Sequence, residues 1–194
     1  MILSSCPGPA VRYYDIMQDA KVMAIIKCTA KLLRELRTKP AIEPTQSPGL
    51  WQWHANLLRI ERTNCVLFTN DWTLYSFLVI MKKRPQQADF AGMFRLGLFK
   101  SLMSEGLAEP RIKYVLSDHG HVVIANTSSR SVLGSMNDLA FQITYMIQAK
   151  GGLAVADLTE INRKLNRVPM KAIKYQFSID ELMRASSPGD PNPH

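Results

Sequence analysis

The residues richest in chemistry lie in one short run, where Ser128, Ser129, Arg130, Ser131, Asn137 and Asp138 bring hydroxyl, guanidinium, amide and carboxylate groups together. At about 100° per residue on a helix, Arg130, Gly134, Asn137, Phe141 and Thr144 fall within about 80° of one another, with Ser131, Asp138 and Tyr145 beside them. A helix that opens near Arg130 presents unpaired backbone N–H groups, and such a terminus attracts an anion. The chemistry expected of Arg130, Ser131, Asn137 and Asp138 is therefore the binding of a phosphate or carboxylate. Gly134 costs a helix interior about 1 kcal/mol relative to alanine, which points to the close approach of a backbone or a ligand. The plainer account is a serine-capped helix with a solvated second face.

His54 and Asn56 form a second candidate. Two residues apart on a strand, they point to the same face. His54 suits general acid–base work if Asp71 or Arg59 approaches it, and packing as a core or edge histidine is the alternative. A hydrolase or nuclease built from His54, Arg130, Asn137 and Asp138 requires those groups to converge in a cleft. Asp118, His119 and His121 lack the further donors that a zinc site needs. There is no nucleophile elbow, phosphate-binding glycine loop or dinucleotide fingerprint in the chain. Neither a metal nor a cofactor is expected.

Positive charge supplies the third candidate. Lys150, Arg163, Lys164, Arg167, Lys171 and Lys174 cluster against only Asp157 and Glu160. The whole chain carries 24 Lys+Arg and 16 Asp+Glu, a net charge of +8, and such a balance attracts polyanions. Arg163, Lys164, Arg167, Lys171 and Lys174 are the residues expected to track a nucleic-acid backbone. Asn162 and Asn166 add amides four residues apart on a helix. Tyr175 and Phe177 are able to stack on bases, although their alternation is also that of a half-buried strand, which would put them in the core.

These groups must be positioned by a mixed set of elements. Strands are expected over 22–27, 53–60, 65–69, 73–80, 121–125 and 173–177. Short links join the second, third and fourth of these, Glu61–Asn64 reading as a hairpin and Asn70-Asp71 as a turn. Helices are expected over 30–37 behind a Thr29 cap, over 89–104, and over a long stretch with Val132, Met136, Leu139, Ile143, Met146 and Ile147 on one apolar stripe, with a short helix or turn at 111–117. Gly151-Gly152 ends that long helix. A further helix follows over 157–166, and Ser178 caps a last one to Arg184. The fold class is α+β, an antiparallel meander of about five strands packed by two or three main helices. The 89–104 helix is apolar on two sides, so it is either central in the core or a partner-binding surface.

The 194 residues and 46% hydrophobic content suit one domain with a substantial core. Proline and glycine in both tails divide the chain into a flexible extension over 1–22, a domain over 23–184 and a flexible tail over 185–194. No apolar run reaches the roughly 20 residues that span a bilayer, so no membrane partner is expected. Three scattered cysteines, Cys6, Cys28 and Cys65, fit a reducing cytoplasm better than a disulfide framework.

Four stretches carry a resemblance: Asn126–Asp138, Trp53–Leu58, Val66–Asp71 and Leu165–Met170. Through them the chain resembles a family of uncharacterised bacterial proteins, a domain of unknown function, over about Met23 to Leu182. The resemblance implies shared architecture and carries over no catalytic or binding residue. The leading functional expectation is a nonenzymatic protein that binds nucleic acid or another phosphorylated ligand. The alternatives are the small hydrolase above and a protein–protein module using the 89–104 helix. Composition sets no oligomeric state.

Overall fold

The computed structural model describes residues 23–42, 49–117, 121–127 and 129–187. The expectations for 1–22 and 188–194 lie outside these residues, as does the expectation for Asp118 and His119.

The first strand, β1 (Met23–Cys28), carries apolar residues on both faces, as a central strand requires, with Lys27 as its one charge. Ala24, Ile26 and Cys28 enter one core, and Ile25 on the opposite face is also fully buried. Thr29 then caps α1 (Ala30–Leu36) by accepting from Leu32 N, and Arg37 ends it in a left-handed conformation (φ 51°). The chain returns through β2 (Gln52–Ile60), β3 (Thr63–Asn70) and β4 (Ser76–Ile80). Glu61 and Arg62, both with positive φ (46° and 70°), make a two-residue turn between β2 and β3. Two successive positive φ values are the twist that tight hairpins favour.

After α2 (Gln87–Ser104) and α3 (Glu109–Ser117) come β5 (His121–Asn126) and the long α4 (Arg130–Ala149). Gly151 and Gly152 stop α4 at φ of 90° and 109°, and the Glu61 carboxylate takes the Leu153 N–H at 2.9 Å. Then come α5 (Leu158–Leu165), the paired β6 (Pro169–Met170) and β7 (Gln176–Phe177) around a 3-10 turn at Lys171–Ile173, and α6 (Ser178–Ala185).

The α+β class holds, with a sheet ordered β4-β3-β2-β1-β5, but that sheet is mixed rather than an antiparallel meander. The β2–β3–β4 portion is antiparallel as expected, whereas β1 runs parallel to both β2 and β5. The reason is the connection. The segment leaving β1 is long enough for a crossover through α1, and a crossover brings the next strand back in the same direction. Among the described residues six helices pack the sheet in place of two or three main ones. The strand expected over 173–177 is a 3-10 turn followed by two residues of β7. Phe177, not Ser178, is the cap position of α6.

The two sheet faces support separate cores. On one, α1, α2, α3 and α6 cover Trp53, Phe68 and Phe77, which meet Phe90 and Phe94 in an aromatic cluster. The Trp53 and Phe94 rings meet edge to face at 5.3 Å. On the other, Val132, Met136, Leu139, Ile143 and Ile147 of α4 and Ile161 and Leu165 of α5 cover Cys65, Leu67 and Leu78. No helix among the described residues is long and apolar enough to cross a membrane.

The β4 edge is closed by side chains. Asn162 of α5 takes the Leu78 N–H at 2.8 Å and donates to the Leu78 carbonyl, while Asn166 does the same for Ser76 at 2.8 Å each way. Two amides four residues apart on a helix thus stand in for a neighbouring strand, and an edge so satisfied is a poor template for aggregation.

Candidate functional site

The outward face of α4 stands clear of the interior. Arg130, Ser131, Gly134, Asn137 and Asp138 are exposed, as are Phe141 and Tyr145. Ser129 caps the helix by accepting from Val132 N at 3.3 Å. The close approach expected at Gly134 is absent, since a Cβ added there would meet nothing within 4 Å. Thr144, assigned to the same stripe, folds its hydroxyl back to the Ala140 carbonyl.

His54 lies elsewhere in character. It is fully buried, and its Nδ1 lies 2.5 Å from Asp71 Oδ1. The other carboxylate oxygen of Asp71 pairs with Lys27 Nζ at 3.0 Å, and Lys27 also donates to Gln52 at 3.4 Å. Asp71 is thus the partner that a catalytic histidine would need for orientation. Nε2 is buried with no hydrogen-bond partner among the described residues. No hydrogen bond or ion pair there joins His54 to Arg130, Asn137 or Asp138. Asn56 accepts from the Thr29 hydroxyl at 3.1 Å, tying the end of β1 to β2. The four residues of the hydrolase alternative are therefore split between a buried polar cluster and an exposed helix face.

The basic cluster gathers on α5 and the segment after it. Arg163, Lys164 and Arg167 line a groove of about 430 Å³ together with Asp157, Thr159 and Glu160. Arg167 also lines a second groove, of about 570 Å³, with Phe177, Glu105 and Asp180. Much of this charge is already paired. Arg167 Nη2 lies 2.7 Å from Glu105, whose side chain is only 1% exposed, and Arg163 lies 4.0 Å from the same carboxylate. The Glu105 contact raises the Arg167 pKa further. Lys164 and Lys150 both pair with Glu160, and they hold its carboxyl below the usual range. Lys171 and Lys174 are exposed and make no ion pair among the described residues.

Two aromatic residues beside them are not in the core. Tyr175 is 67% and Phe177 39% exposed. Lys174 and Tyr175 occupy consecutive left-handed conformations (φ 56° and 63°), which cost a non-glycine residue roughly 1–2 kcal/mol each. That backbone geometry at the turn between β6 and β7 was invisible in the alternating pattern of the sequence.

The stretches that carried the resemblance can be located on this geometry. A family profile matches residues 25–181 of the 194. The chain belongs to DUF6933, a domain of unknown function. No curated protein matches the sequence. In this DUF6933 domain several of the shared-motif residues hold the fold together. Asn70 is fully buried, accepts from Trp72 N, Thr73 N and the Thr73 hydroxyl, and donates to the carbonyls of Leu50 and Gln52. Trp53 donates to Leu50 O at 2.7 Å, and Asn166 secures β4. Asn162 and Asn166, read from spacing as backbone-tracking amides, are buried and committed to the sheet edge.

Sequence reasoning missed Lys27. Its place in an apolar strand gave a signal, since a lysine within a buried strand needs an anionic partner, but nothing identified Asp71 as that partner. The 89–104 helix, offered as a partner surface, packs inward through Phe90, Phe94, Leu98, Phe99 and Leu102, leaving Leu96 and Met103 as its exposed apolar residues.

Proposed function

We propose that the protein is a nonenzymatic binding module for single-stranded nucleic acid, with α5 and the β6–β7 hairpin as its contact surface. One observation carries the reading: Tyr175 and Phe177 face solvent beside Lys171 and Lys174, whose ammonium groups have no carboxylate partner among the described residues. Aromatic faces next to unpaired cations are the two components of sequence-tolerant single-strand binding, in which each stacked base contributes about 1–3 kcal/mol. Arg167 joins the grooves on either side of it, so a backbone running from the hairpin onto α5 meets Arg167 first and then Lys164 and Arg163. A phosphate on that path would compete with Glu105 and Glu160 for these cations, leaving about three net phosphate contacts.

The test is fluorescence anisotropy with labelled single-stranded DNA, single-stranded RNA and duplex DNA. With about three phosphates neutralised, single-strand affinity should fall about twentyfold between about 50 and about 200 mM salt. Combining Lys171→Ala with Lys174→Ala should reduce the salt slope by about 1.4. Tyr175→Ala should weaken single-strand binding about tenfold and leave that slope unchanged. No salt-sensitive affinity for any of the three probes would refute the proposal.

A further inference from the structure

The outward face of α4 belongs to neither the basic surface nor the packed core. Phe141 is 72% and Tyr145 64% exposed, both large for a solvated helix face. Gly134 sits among them with nothing within 4 Å of an added Cβ, so packing inside the chain does not call for glycine at this position. Arg130 and Asp138 flank Gly134 by four residues on each side. They lie about 40° to its left and right and about 12 Å apart along the helix axis, too far to pair with each other. Neither makes an ion pair among the described residues.

Arg130, Gly134 and Asp138 form one i±4 ridge. In the commonest helix packing, at an interaxial angle of about −50°, the i±4 ridges of the two helices run side by side. When this ridge meets a copy of itself in the antiparallel sense, Arg130 lies against Asp138 of the partner subunit, and the reverse pair forms at the other end. In the parallel sense like charges meet. The sign pattern therefore selects a two-fold, self-complementary arrangement, the symmetry of most homodimers. At its centre two Gly134 residues cross without side chains, which lets the axes come closer than the usual 8–10 Å. The adjoining ridge of Asn137, Phe141 and Tyr145 is then covered by the partner helix.

We propose that the outward face of α4 is a self-association surface, and that its occupant is a second copy of this chain in an antiparallel two-fold crossing at Gly134. This goes beyond the nucleic-acid reading and rests on a different surface. A single crossing of helices falls at the small end of specific interfaces, so a micromolar dimer is expected.

Sedimentation velocity on the full chain, from about 1 to about 100 μM, reads it directly. The wild-type protein should shift from monomer to dimer within that range. Arg130→Asp and Asp138→Arg should each raise the dimer dissociation constant about tenfold or more, because each variant sets like charges together at both ends. The two combined should restore association. Gly134→Leu should abolish the dimer while leaving the thermal melt unchanged or higher, since the position is exposed and a Cβ there meets nothing within 4 Å. A wild-type protein that stays monomeric throughout, a dimer indifferent to either charge reversal, or a double variant no tighter than the single ones would each overturn the proposal.

Discussion

Replacing Asn166 with alanine would open half of the β4 edge. The side chain is fully buried and makes four hydrogen bonds. Its carbonyl accepts from Ser76 N at 2.8 Å and from the Ser178 hydroxyl at 3.0 Å, and its amino group donates to the carbonyls of Ser76 at 2.8 Å and Asn162 at 2.9 Å. Ser76 is itself 1% exposed, so water cannot readily replace what is lost. Two orphaned backbone groups at about 1–3 kcal/mol each put the cost between about 2 and about 6 kcal/mol, centred on about 4. A domain of this size has about 5–15 kcal/mol in total, so the variant should remain folded but markedly weakened. With a urea slope of about 2 kcal/mol per molar, the unfolding midpoint should fall by about 2 M, followed by circular dichroism and tryptophan fluorescence together. Asn166→Asp keeps the acceptor and loses both donors, and should cost a comparable amount. A loss below about 1 kcal/mol for the alanine variant would refute the idea that this amide substitutes for a strand.

Two glycines of α2 should respond in opposite directions. A Cβ at Gly92 meets nothing within 4 Å, so Gly92→Ala should stabilise the fold by about 0.5–1 kcal/mol. At Gly97 a Cβ would come within 2.7 Å of Val79 and 2.8 Å of Phe77, so Gly97→Ala should cost about 1–3 kcal/mol, and urea melts of the pair read both signs. The buried thiols give a pH dependence. Burial pushes Cys65 up from 9.0 to about 11 and raises Cys28 further, while in the unfolded chain both ionise at their ordinary value. Their contribution is fully present below about pH 9 and is lost as pH rises towards about 11. The urea midpoint should therefore drop more between about pH 8 and about pH 10 in the wild-type protein than in a Cys28→Ala, Cys65→Ala variant, and equal drops would show that the thiols do not contribute. The salt-dependent binding of single strands and the Gly134-centred dimer complete the set.

Most of the secondary structure was legible because it is decided locally. The apolar stripe from Val132 to Ile147 needs only a 3.6-residue repeat to mark a helix, Thr29 announces a cap, and Gly151-Gly152 announces a stop. The outward face of α4 follows from the same repeat, which is why Arg130, Asn137 and Asp138 were found on the solvent side. Local pattern also gave the β2–β3–β4 meander, since short links leave antiparallel pairing as the available geometry.

Pairing between distant segments was decided only by the tertiary structure. β1 meets β5 in parallel register, Ile26 beside Ile124, and nothing in either strand encodes its neighbour. The Lys27–Asp71–His54 cluster is made by β1, β2 and the turn after β3 coming together, and the roles of Asn162 and Asn166 exist only once β4 lies beneath α5. Tyr175 and Phe177 alternate like strand residues, but two left-handed residues and a 3-10 turn direct them to solvent. Periodicity reports how a segment presents its faces. Which face is covered depends on what else packs there, and that is a property of the assembled chain.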